Sequence, residues 1–452
     1  MNVVKFGGTS CACAEQIKKV CEVILDDSLR KVVVVSAPGK RHKSDIKVTD
    51  LLISCAKAFI ERQDAELELE QVVKRYANII EELDMDKSFI DEIRMDIKKR
   101  LYSDVDDEEK FTDLLKAAGE DNCAKLIARY LRKLGKNARY VNPREAGLLL
   151  SDEYANARVL PIAYENLAKL RHMEGIVIFP GFFGYSPAGD VVTFPRGGSD
   201  ITGSILAAAL DAEIYENYTD VDSVFSANPN IVDNPDPIFD ITYREMRELS
   251  YAGFSVLHEE TLEPVYRKGI PVAIKNTNNP KSIGTLISAK RTARKNPVVG
   301  IASQGGFSSI YLSKYLMNKE IGFGRKVLHI LEDEAIPFEH MPSGIDNLSV
   351  VVKEEYLEKN KEDRILKRLK DELKADVVNI ERNLALIMVV GEGMMQTIGI
   401  ASKATSALTK TEVNIEMINQ GSSEVSMMFG VRERDANIAT KALYNVYFKW
   451  FN

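Results

Sequence analysis

The segment Lys5-Phe-Gly-Gly-Thr-Ser10 combines residue types that bind a phosphate group. Two adjacent glycines let the backbone approach an anion, and a helix that begins after them offers free amide groups. The lysine adds a mobile positive charge. A Gly-Gly turn alone is more often an ordinary turn, but a lysine just before it favours phosphate binding. The motif is not a P-loop, because there the lysine follows the glycines.

Further polar groups follow predicted strands in the segments Phe179-Pro-Gly-Phe-Phe-Gly184, Arg196-Gly-Gly-Ser-Asp200 and Thr219-Asp-Val-Asp222. An arginine beside exposed amides is suited to hold a carboxylate. The alternative for the second segment is helix capping by Ser199. Thr219 and Asp220 follow a strand, where open α/β sheets bind ligands, although both residue types are also common in turns.

These groups need a sheet to position them, and the hydrophobic pattern predicts one. Lys31-Val-Val-Val-Val35 is a continuous β-branched run, which is typical of a strand buried on both faces of a parallel sheet. Strand-like runs alternate with helical stretches up to about residue 290, which indicates an α/β domain. Residues 57–116 are instead rich in charge and helical in pattern, and we interpret them as a charged helical inset.

The C-terminal part contains an internal duplication. Residues 336–350 align with residues 413–427 without a gap, so that Glu339 matches Glu416 and Gly344 matches Gly421. Each copy has a strand, a glycine loop and a helix before it. The pattern predicts two small βαββ units after a linker at residues 291–297.

Composition narrows the class of protein. The 452 residues carry a formal net charge of −7, so no positive field attracts nucleic acid or anionic lipid. Five cysteines are few and odd in number, which favours a reducing cytoplasm over a disulfide framework. With no apolar run of about 18 residues and no leader, we expect a soluble, cytoplasmic protein. The histidines and cysteines lack metal-ligand spacing, so no protein-bound metal is expected.

Taken in order, these segments and the C-terminal duplication closely resemble the aspartate kinase family over essentially the whole chain. The resemblance implies an amino-acid-kinase-like open, mostly parallel sheet with helices on both faces, followed by tandem ferredoxin-like ACT domains. It also implies that the first ACT domain is inserted in the second. The expected boundaries are 1–290 for the kinase domain, 304–375 for the first ACT domain, and 298–303 plus 376–452 for the second.

The resemblance implies transfer of the γ-phosphoryl group of ATP, complexed with Mg²⁺, to the side-chain carboxylate of L-aspartate. The product, 4-phospho-L-aspartate, leads to lysine, threonine and methionine. By position, the resemblance implies catalytic roles for Lys5 and Asp200. It implies aspartate binding by Thr49, Glu120, Arg196 and Ser199, and nucleotide binding by Gly7, Gly8, Ser10, Thr219, Asp220 and Phe225.

Charge assigns roles within that set. Glu120 suits the α-amino group of aspartate, and Arg196 suits its α-carboxylate. The acceptor carboxylate has a pKa of about 4, so it is ionised at pH 7 and needs no general base. We therefore interpret Asp200 as an electrostatic positioner of Lys5, which helps to neutralise the two anions that must meet.

The chain departs from the family pattern at the nucleotide. Asn230 stands where many relatives carry an arginine near the phosphates, and Phe225 stands where many carry a tyrosine. We assign the replacement positive charge to Lys275, with Lys281 as the alternative.

For the ACT domains, the resemblance implies binding of lysine, alone or with threonine, and a homodimer or dimer of dimers. Inhibition would correspond to a coupling free energy of about 1–3 kcal/mol. The implied effector contacts are Met317, Phe323, Gly324, Glu339, Ser343, Asp346, Asn414, Ile415 and Asn419.

Two alternative functions stay open. The same fold serves acetylglutamate, glutamate and uridylate kinases, although the charged inset and the ACT pair speak against these. A catalytically silent amino-acid sensor would also keep the ACT domains. The retained Lys5, Glu120, Arg196 and Asp200 argue against a sensor, and Asn230 is its only support.

Overall fold

The computed structural model describes residues 1–103, 107–254, 256–257, 259–291, 296–421, 423 and 425–449. The chain divides into two compact units. The first comprises residues 1–224, 237–250 and the described part of 255–293. The second comprises residues 225–236, 251–254 and the described residues from 296 onward. Most of the expected linker at 291–297 lies outside the described residues.

A large, mostly parallel sheet forms the centre of the first unit. The strands before residue 290 are β1 Asn2–Phe6, β2 Arg30–Val35, β3 Ala138–Tyr140, β4 Ile176–Pro180, β5 Phe183–Tyr185, β6 Val191–Thr193, β7 Tyr215–Thr219, β8 Val224–Phe225, β9 Pro237–Ile238, β10 Asp240–Thr242, β11 Val272–Asn276 and β12 Thr285–Ser288. The eight-stranded sheet has the order β10-β12-β11-β7-β1-β2-β4-β3. Within it, only β11 and β12 pair in the antiparallel sense among the described residues.

Helices cover this sheet, and the charged inset is part of the same core. The helices before residue 290 are α1 Ala14–Asp26, α2 Val48–Arg62, α3 Glu66–Glu82, α4 Ser88–Leu101, α5 Glu108–Lys133, α6 Pro143–Ala146, α7 Pro161–Leu167, α8 Gly198–Ala209, α9 Tyr243–Tyr251 and α10 Glu263–Lys268. Apolar residues of α3 and α4, such as Leu69 and Ile97, belong to the buried cluster that contains Val4 and Val33 of the sheet. The inset therefore carries most of its charge outward and stabilises the kinase fold with its apolar face.

The second unit contains one five-stranded antiparallel sheet. Its strands are β13 Gly300–Ser313, β14 Asn347–Lys353, β15 Val377–Val390, β16 Met417–Asn419 and β17 Ser426–Arg432, and its helices are α11 Phe323–Asp333, α12 Lys359–Asp371, α13 Ile400–Lys410 and α14 Ala436–Tyr444. The strand order is β14-β13-β15-β17-β16. Together, the two sheets confirm the expected fold class.

Two long strands connect the repeats within that sheet. Strands β13 and β15 pair from Gly300 opposite Val390 to Ser313 opposite Val377. The register shifts near Phe307, and there the sheet passes from one repeat to the other. Each repeat keeps its own buried cluster under its helices. The repeats are therefore not separate modules, because their main-chain hydrogen bonds form one ladder.

Candidate active site

The polar segments meet at one edge of the eight-stranded sheet. Strands β1, β2, β4, β7 and β11 are parallel, so their carboxyl ends share that edge. The amide of Gly7 donates to the carbonyl of Tyr218 at 3.1 Å, and the amide of Thr277 donates to that of Thr219 at 3.0 Å. These bonds join the loops after β1, β7 and β11 into the floor of a site.

The glycine turn after β1 packs against the loop after β2 through Gly8. The amide of Gly39, in the loop after β2, donates to the carbonyl of Gly8 at 2.8 Å. A Cβ atom added to Gly39 would lie 2.5 Å from the Gly8 carbonyl carbon, and one added to Gly8 would lie 3.3 Å from Gly39 Cα. The two loops are in direct backbone contact, which is why both positions require glycine.

An arginine of the helical inset holds the loop after β2. Arg75 of α3 is buried and donates to the Gly39 carbonyl at 2.7 Å and to Asp45 at 2.9 Å. The guanidinium of Arg41 also binds Asp45, and together the two arginines keep the pKa of that carboxyl well below its ordinary value. The sequence prediction missed this contribution of the inset to the site.

A buried ion pair lies beside the glycine turn. Lys5 is 6% exposed and pairs with Asp200 in the first turn of α8. Asn217 lies opposite Lys5 in the β1–β7 register, accepts a hydrogen bond from Lys5 Nζ at 3.4 Å and donates to Asp200 Oδ1 at 2.7 Å. Sequence reasoning named Lys5 and Asp200 but missed Asn217. The available signal was a polar Glu216-Asn217 pair within a buried strand.

The loop before α8 presents an arginine. Arg196 is exposed, and no described residue forms an ion pair with it. Helix α8 begins at Gly198, its N-cap is Gly197 with a φ of 83°, and no side chain caps it among the described residues. Helix capping by Ser199 is therefore wrong, since Ser199 lies one residue into the helix and close to Gly181. The guanidinium and the helix N-terminus together suit an anionic group.

A buried carboxyl group lies next to the loop after β2. Glu120 of α5 is 5% exposed, and its Oε2 atom has no hydrogen-bond partner among the described residues. Burial raises the pKa of Glu120 to about 8, although a backbone hydrogen bond from Ala37 opposes the change. The neighbouring Gly119 packs against the first turn of α2, where the half-buried Thr49 lies. Helix packing thus brings the helices that carry these two predicted residues together.

The predicted nucleotide residues differ in the hydrogen bonds that their side chains form. The hydroxyl groups of Ser10 and Thr277 are buried and 2.7 Å apart. Thr219 donates to the exposed Asp220 at 3.2 Å. Phe225 belongs to the second unit.

Lys275 lies beside a carboxylate of the sheet. Its Nζ is 3.8 Å from Oε1 of the buried Glu216, which Arg30 also holds through two bonds of 2.6 and 3.0 Å. The alternative residue, Lys281, is exposed. The buried Arg30–Glu216 pair was not anticipated from the sequence.

Two of the predicted effector residues are core residues of the first repeat. The side chains of Met317 and Phe323 are buried in its apolar cluster. Their side chains therefore contribute packing to the first repeat, and their proposed effector contacts stay a prediction. The mainly apolar sequence around them could not distinguish a packed residue from a binding residue.

Another part of the predicted effector set forms a polar cluster. Glu339 accepts a hydrogen bond from the hydroxyl group of Tyr251, and Lys353 Nζ lies 3.9 Å from its other oxygen. The ring of His340 meets the Tyr251 ring edge-on at 5.9 Å and lies 3.3 Å from the amide of Asn419. Glu339 and Asn419 therefore lie in one cluster, because His340, the residue after Glu339, contacts Asn419.

The remaining predicted effector residues are dispersed. Gly324 faces Met341, Ser343 is exposed, and Asp346 has a buried Oδ1 without a partner among the described residues. In the second repeat, Asn414 contacts Glu416, and Ile415 packs against the core.

Sequence comparisons agree with this architecture. The profile of the amino acid kinase family matches residues 1–276, and an ACT domain profile matches residues 387–447. The chain is similar to Aspartokinase 3 of Bacillus subtilis, with 54% identity over 448 residues and 99% of each chain covered. The chain belongs to the aspartokinase family. It is an ATP-dependent kinase with an ACT regulatory region.

Solved structures of the family have the same fold. The aspartate kinase of Clostridium acetobutylicum is 39% identical, with a TM-score of 0.86 over 99% of this chain and 100% of that one. Aspartokinase III of E. coli, solved with aspartate and ADP in its R-state, is 25% identical, with a TM-score of 0.83 over 99% and 100% of the two chains. Among the described residues, no helix has both the length and the apolar composition that crossing a bilayer requires.

Proposed function

We propose that the chain transfers the γ-phosphoryl group of ATP to the side-chain carboxylate of L-aspartate, forming 4-phospho-L-aspartate. The observation that carries this proposal is the buried Lys5–Asp200 pair beside the glycine turn. A Cβ atom added to Gly7 would lie 3.4 Å from Lys5 Nζ, so the charge and the turn share one small space. A phosphate there would meet backbone amides and a held ammonium group.

Two charged residues are proposed to bind the backbone groups of aspartate. The guanidinium of Arg196 is exposed and has no ion-pair partner among the described residues, so it suits the α-carboxylate, and Glu120 suits the α-ammonium. With a pKa of about 8, Glu120 is mostly protonated at pH 7 and would release its proton as the ammonium group binds. Thr49 and Ser199 would donate hydroxyl hydrogen bonds to the same substrate.

The proposed reaction requires no proton transfer. A side-chain oxygen of aspartate forms a bond to the γ-phosphorus, while the bond from that phosphorus to the β,γ-bridging oxygen breaks. The electron pair leaves with ADP. Lys5 offsets the negative charge of the phosphoryl oxygens, and Asp200 holds Lys5 in place.

The nucleotide is proposed to lie along the carboxyl edge of β1, β7 and β11. Its contacts would be Gly7, Gly8, Ser10, Thr219, Asp220, Phe225 and Lys275. Of these, Ser10 and Lys275 would have to exchange or share their partners Thr277 and Glu216.

Mg²⁺ is proposed to arrive with ATP. The described residues contain no group of three metal-binding side chains, and nucleotide-bound Mg²⁺ is usually held by phosphates, water and one or two carboxylates. The exposed Asp220 at the end of β7 fits that requirement. In this position the ion would neutralise phosphate charge.

The second unit is proposed to bind lysine, alone or with threonine, and to inhibit the kinase. We propose ACT domains at residues 304–375 and 298–303 plus 376–452, following a kinase domain at 1–290.

Ile321 and Ile398 occupy equivalent positions in the two repeats and are 95% and 101% exposed. Such apolar exposure favours a homodimer or a dimer of dimers, which sedimentation velocity tests. The five free cysteines suit a cytoplasmic location.

An acceptor assay tests the proposed chemistry. The protein is incubated with Mg-ATP, hydroxylamine and one acceptor, which is L-aspartate, acetylglutamate, glutamate or uridylate. We expect ATP-dependent hydroxamate with aspartate only. Hydroxamate with another acceptor, or ADP release with uridylate, would assign a different kinase reaction. No turnover with any acceptor would favour a silent sensor.

A further inference from the structure

We infer that Asn217 is a positioning residue for phosphoryl transfer and that it acts on Lys5 through Asp200. The inference rests on the proposed role of Lys5. Asn217 lies in the middle of β7, is 2% exposed and contacts both members of the ion pair. It is part of neither the glycine turn nor the Arg196-Gly-Gly-Ser-Asp200 segment.

The three side chains form a closed triangle. Lys5 and Asn217 are direct partners in the parallel register of β1 and β7, so the sheet fixes their separation. Asp200 enters from the first turn of α8 and meets both of them. The side chains of Lys5 and Asp200 can both turn, and Asn217 restrains each of them, with 2.7 Å between its Nδ2 and Asp200 Oδ1.

The chemistry of the amide fits this place. An ammonium group only donates hydrogen bonds and a carboxylate only accepts them, whereas a primary amide has one side of each kind. Asn217 therefore has one favourable orientation, with its oxygen toward Lys5 and its nitrogen toward Asp200. Aspartate at this position would lose the hydrogen-bond donor, and leucine would lose both donor and acceptor. The serine side chain would be too short to contact both charged groups.

The triangle also explains how the lysine would be directed. A protonated lysine has three N–H donors. Asp200 and Asn217 take two of them, which leaves one for a phosphoryl oxygen. Without Asn217, the ammonium group could turn with Asp200, and the free donor would lose its direction. Loss of direction should lower kcat more than substrate affinity.

The principal test replaces Asn217 with leucine in the full chain. We expect N217L to lower kcat about tenfold, the usual scale for a hydrogen bond to a charged group, with KM for aspartate and ATP changed less than about twofold. N2L is the matched control. Asn2 is, like Asn217, a buried strand asparagine, but it lies in β1 and contacts only Asp27 among the described side chains. Unchanged kcat in N217L, or an equal loss in N2L, would overturn the inference.

A double-mutant cycle separates positioning from packing. If Asn217 acts through Asp200, N217L should cause little further loss of kcat in a D200A background. Full additivity would overturn the inference. N217Q, which keeps the amide donor and the amide acceptor, should recover part of the kcat that is lost in N217L. An N217Q enzyme no better than N217L would count against the inference.

K5A distinguishes this inference from the proposed function. A K5A enzyme with near-normal kcat would overturn the proposed role of Lys5 itself. An inactive K5A enzyme together with a normal N217L enzyme would leave that role intact and overturn only the role of Asn217.

Discussion

Lys5 in the first unit and Glu339 in the second are both mostly buried charges, but they have different partners. Lys5 faces a full opposite charge, Asp200, held in a helix and restrained by Asn217. Glu339 faces the neutral hydroxyl group of Tyr251 and a lysine 3.9 Å away. The Lys5 pair is therefore held in one arrangement, whereas Glu339 keeps the capacity to pair with the charged ligand that we propose for it.

The two repeats show the same contrast. Glu416 is the counterpart of Glu339, but Arg432 binds it through two contacts of 2.9 and 3.4 Å. A carboxylate already paired with a guanidinium has less to gain from an amino-acid ammonium group. The first repeat therefore has the more available carboxylate for an effector.

The largest effect is expected for Lys5, which Asp200 and Asn217 hold in place. K5A should lower kcat by about a thousandfold or more, because a single held charge at the transferring phosphoryl group is removed. KM for aspartate should change little. Initial rates of ADP release measure both constants. K31A is the control, since Lys31 is an exposed lysine on the neighbouring strand, and a K5A enzyme that resembles it would remove Lys5 from the mechanism.

R196A should mainly weaken aspartate binding. Loss of a charge-assisted hydrogen bond typically costs about 1.5–3 kcal/mol, so we expect KM for aspartate to rise about 10- to 100-fold with kcat within a few-fold. The control is R244A, because Arg244 is also an exposed arginine. An unchanged KM for aspartate would contradict the assignment.

The buried Glu120 predicts a pH dependence of aspartate binding. Below its pKa of about 8 the carboxyl must lose a proton before it pairs with the substrate ammonium. KM for aspartate should therefore fall about tenfold from pH 7 to pH 9, and this slope should disappear in E120Q. Calorimetry in buffers of different ionisation enthalpy should detect proton release at pH 7, and its absence would refute the role.

The same group affects stability with a definite sign. Because the folded-state pKa is raised, the stability contribution of Glu120 is full below the ordinary carboxyl pKa and is lost as pH rises through about 8. The melting temperature of E120Q relative to the unmodified protein should therefore be higher at pH 9 than at pH 5. A difference independent of pH would show that Glu120 is not buried as a neutral acid.

The last prediction concerns Glu339 in the second unit. E339Q should raise the lysine concentration for half-inhibition about tenfold, because a neutral glutamine loses the ion pair with an ammonium group. The matched control is E416Q in the second repeat. Equal shifts in both variants would break the contrast between the repeats, and no inhibition of the unmodified protein by lysine, with or without threonine, would remove the regulatory proposal.

The sequence predicted the parts of the site that are local in the chain. Lys5, the two glycines and Asp200 each stand within a short segment of recognisable chemistry, and valine-rich runs predicted the parallel sheet. The duplication predicted the repeated elements of the second unit. These features depend on neighbouring residues, so pattern and composition are sufficient to find them.

The missed features depend on contacts between distant segments. Asn217 meets Lys5 only because β7 lies next to β1 in the sheet, and strand order is not written in local pattern. Arg75 reaches Gly39 from a helix that was interpreted as a solvated inset. The core packing of Met317 and Phe323 was also not predicted, since apolar residues serve in cores and in binding sites alike, and their effector role stays a prediction.

The long strands β13 and β15 limit how this regulatory region can be exchanged between relatives. A single ACT repeat cannot be excised at one loop, because both strands run on into the other repeat. A chimaera would have to join the donor and host chains inside two hydrogen-bonded strands, near Gly306 and Asn383, where both residues have positive φ and the ladder is irregular. The two repeats must therefore be exchanged together, and sequence changes in one are constrained by the other.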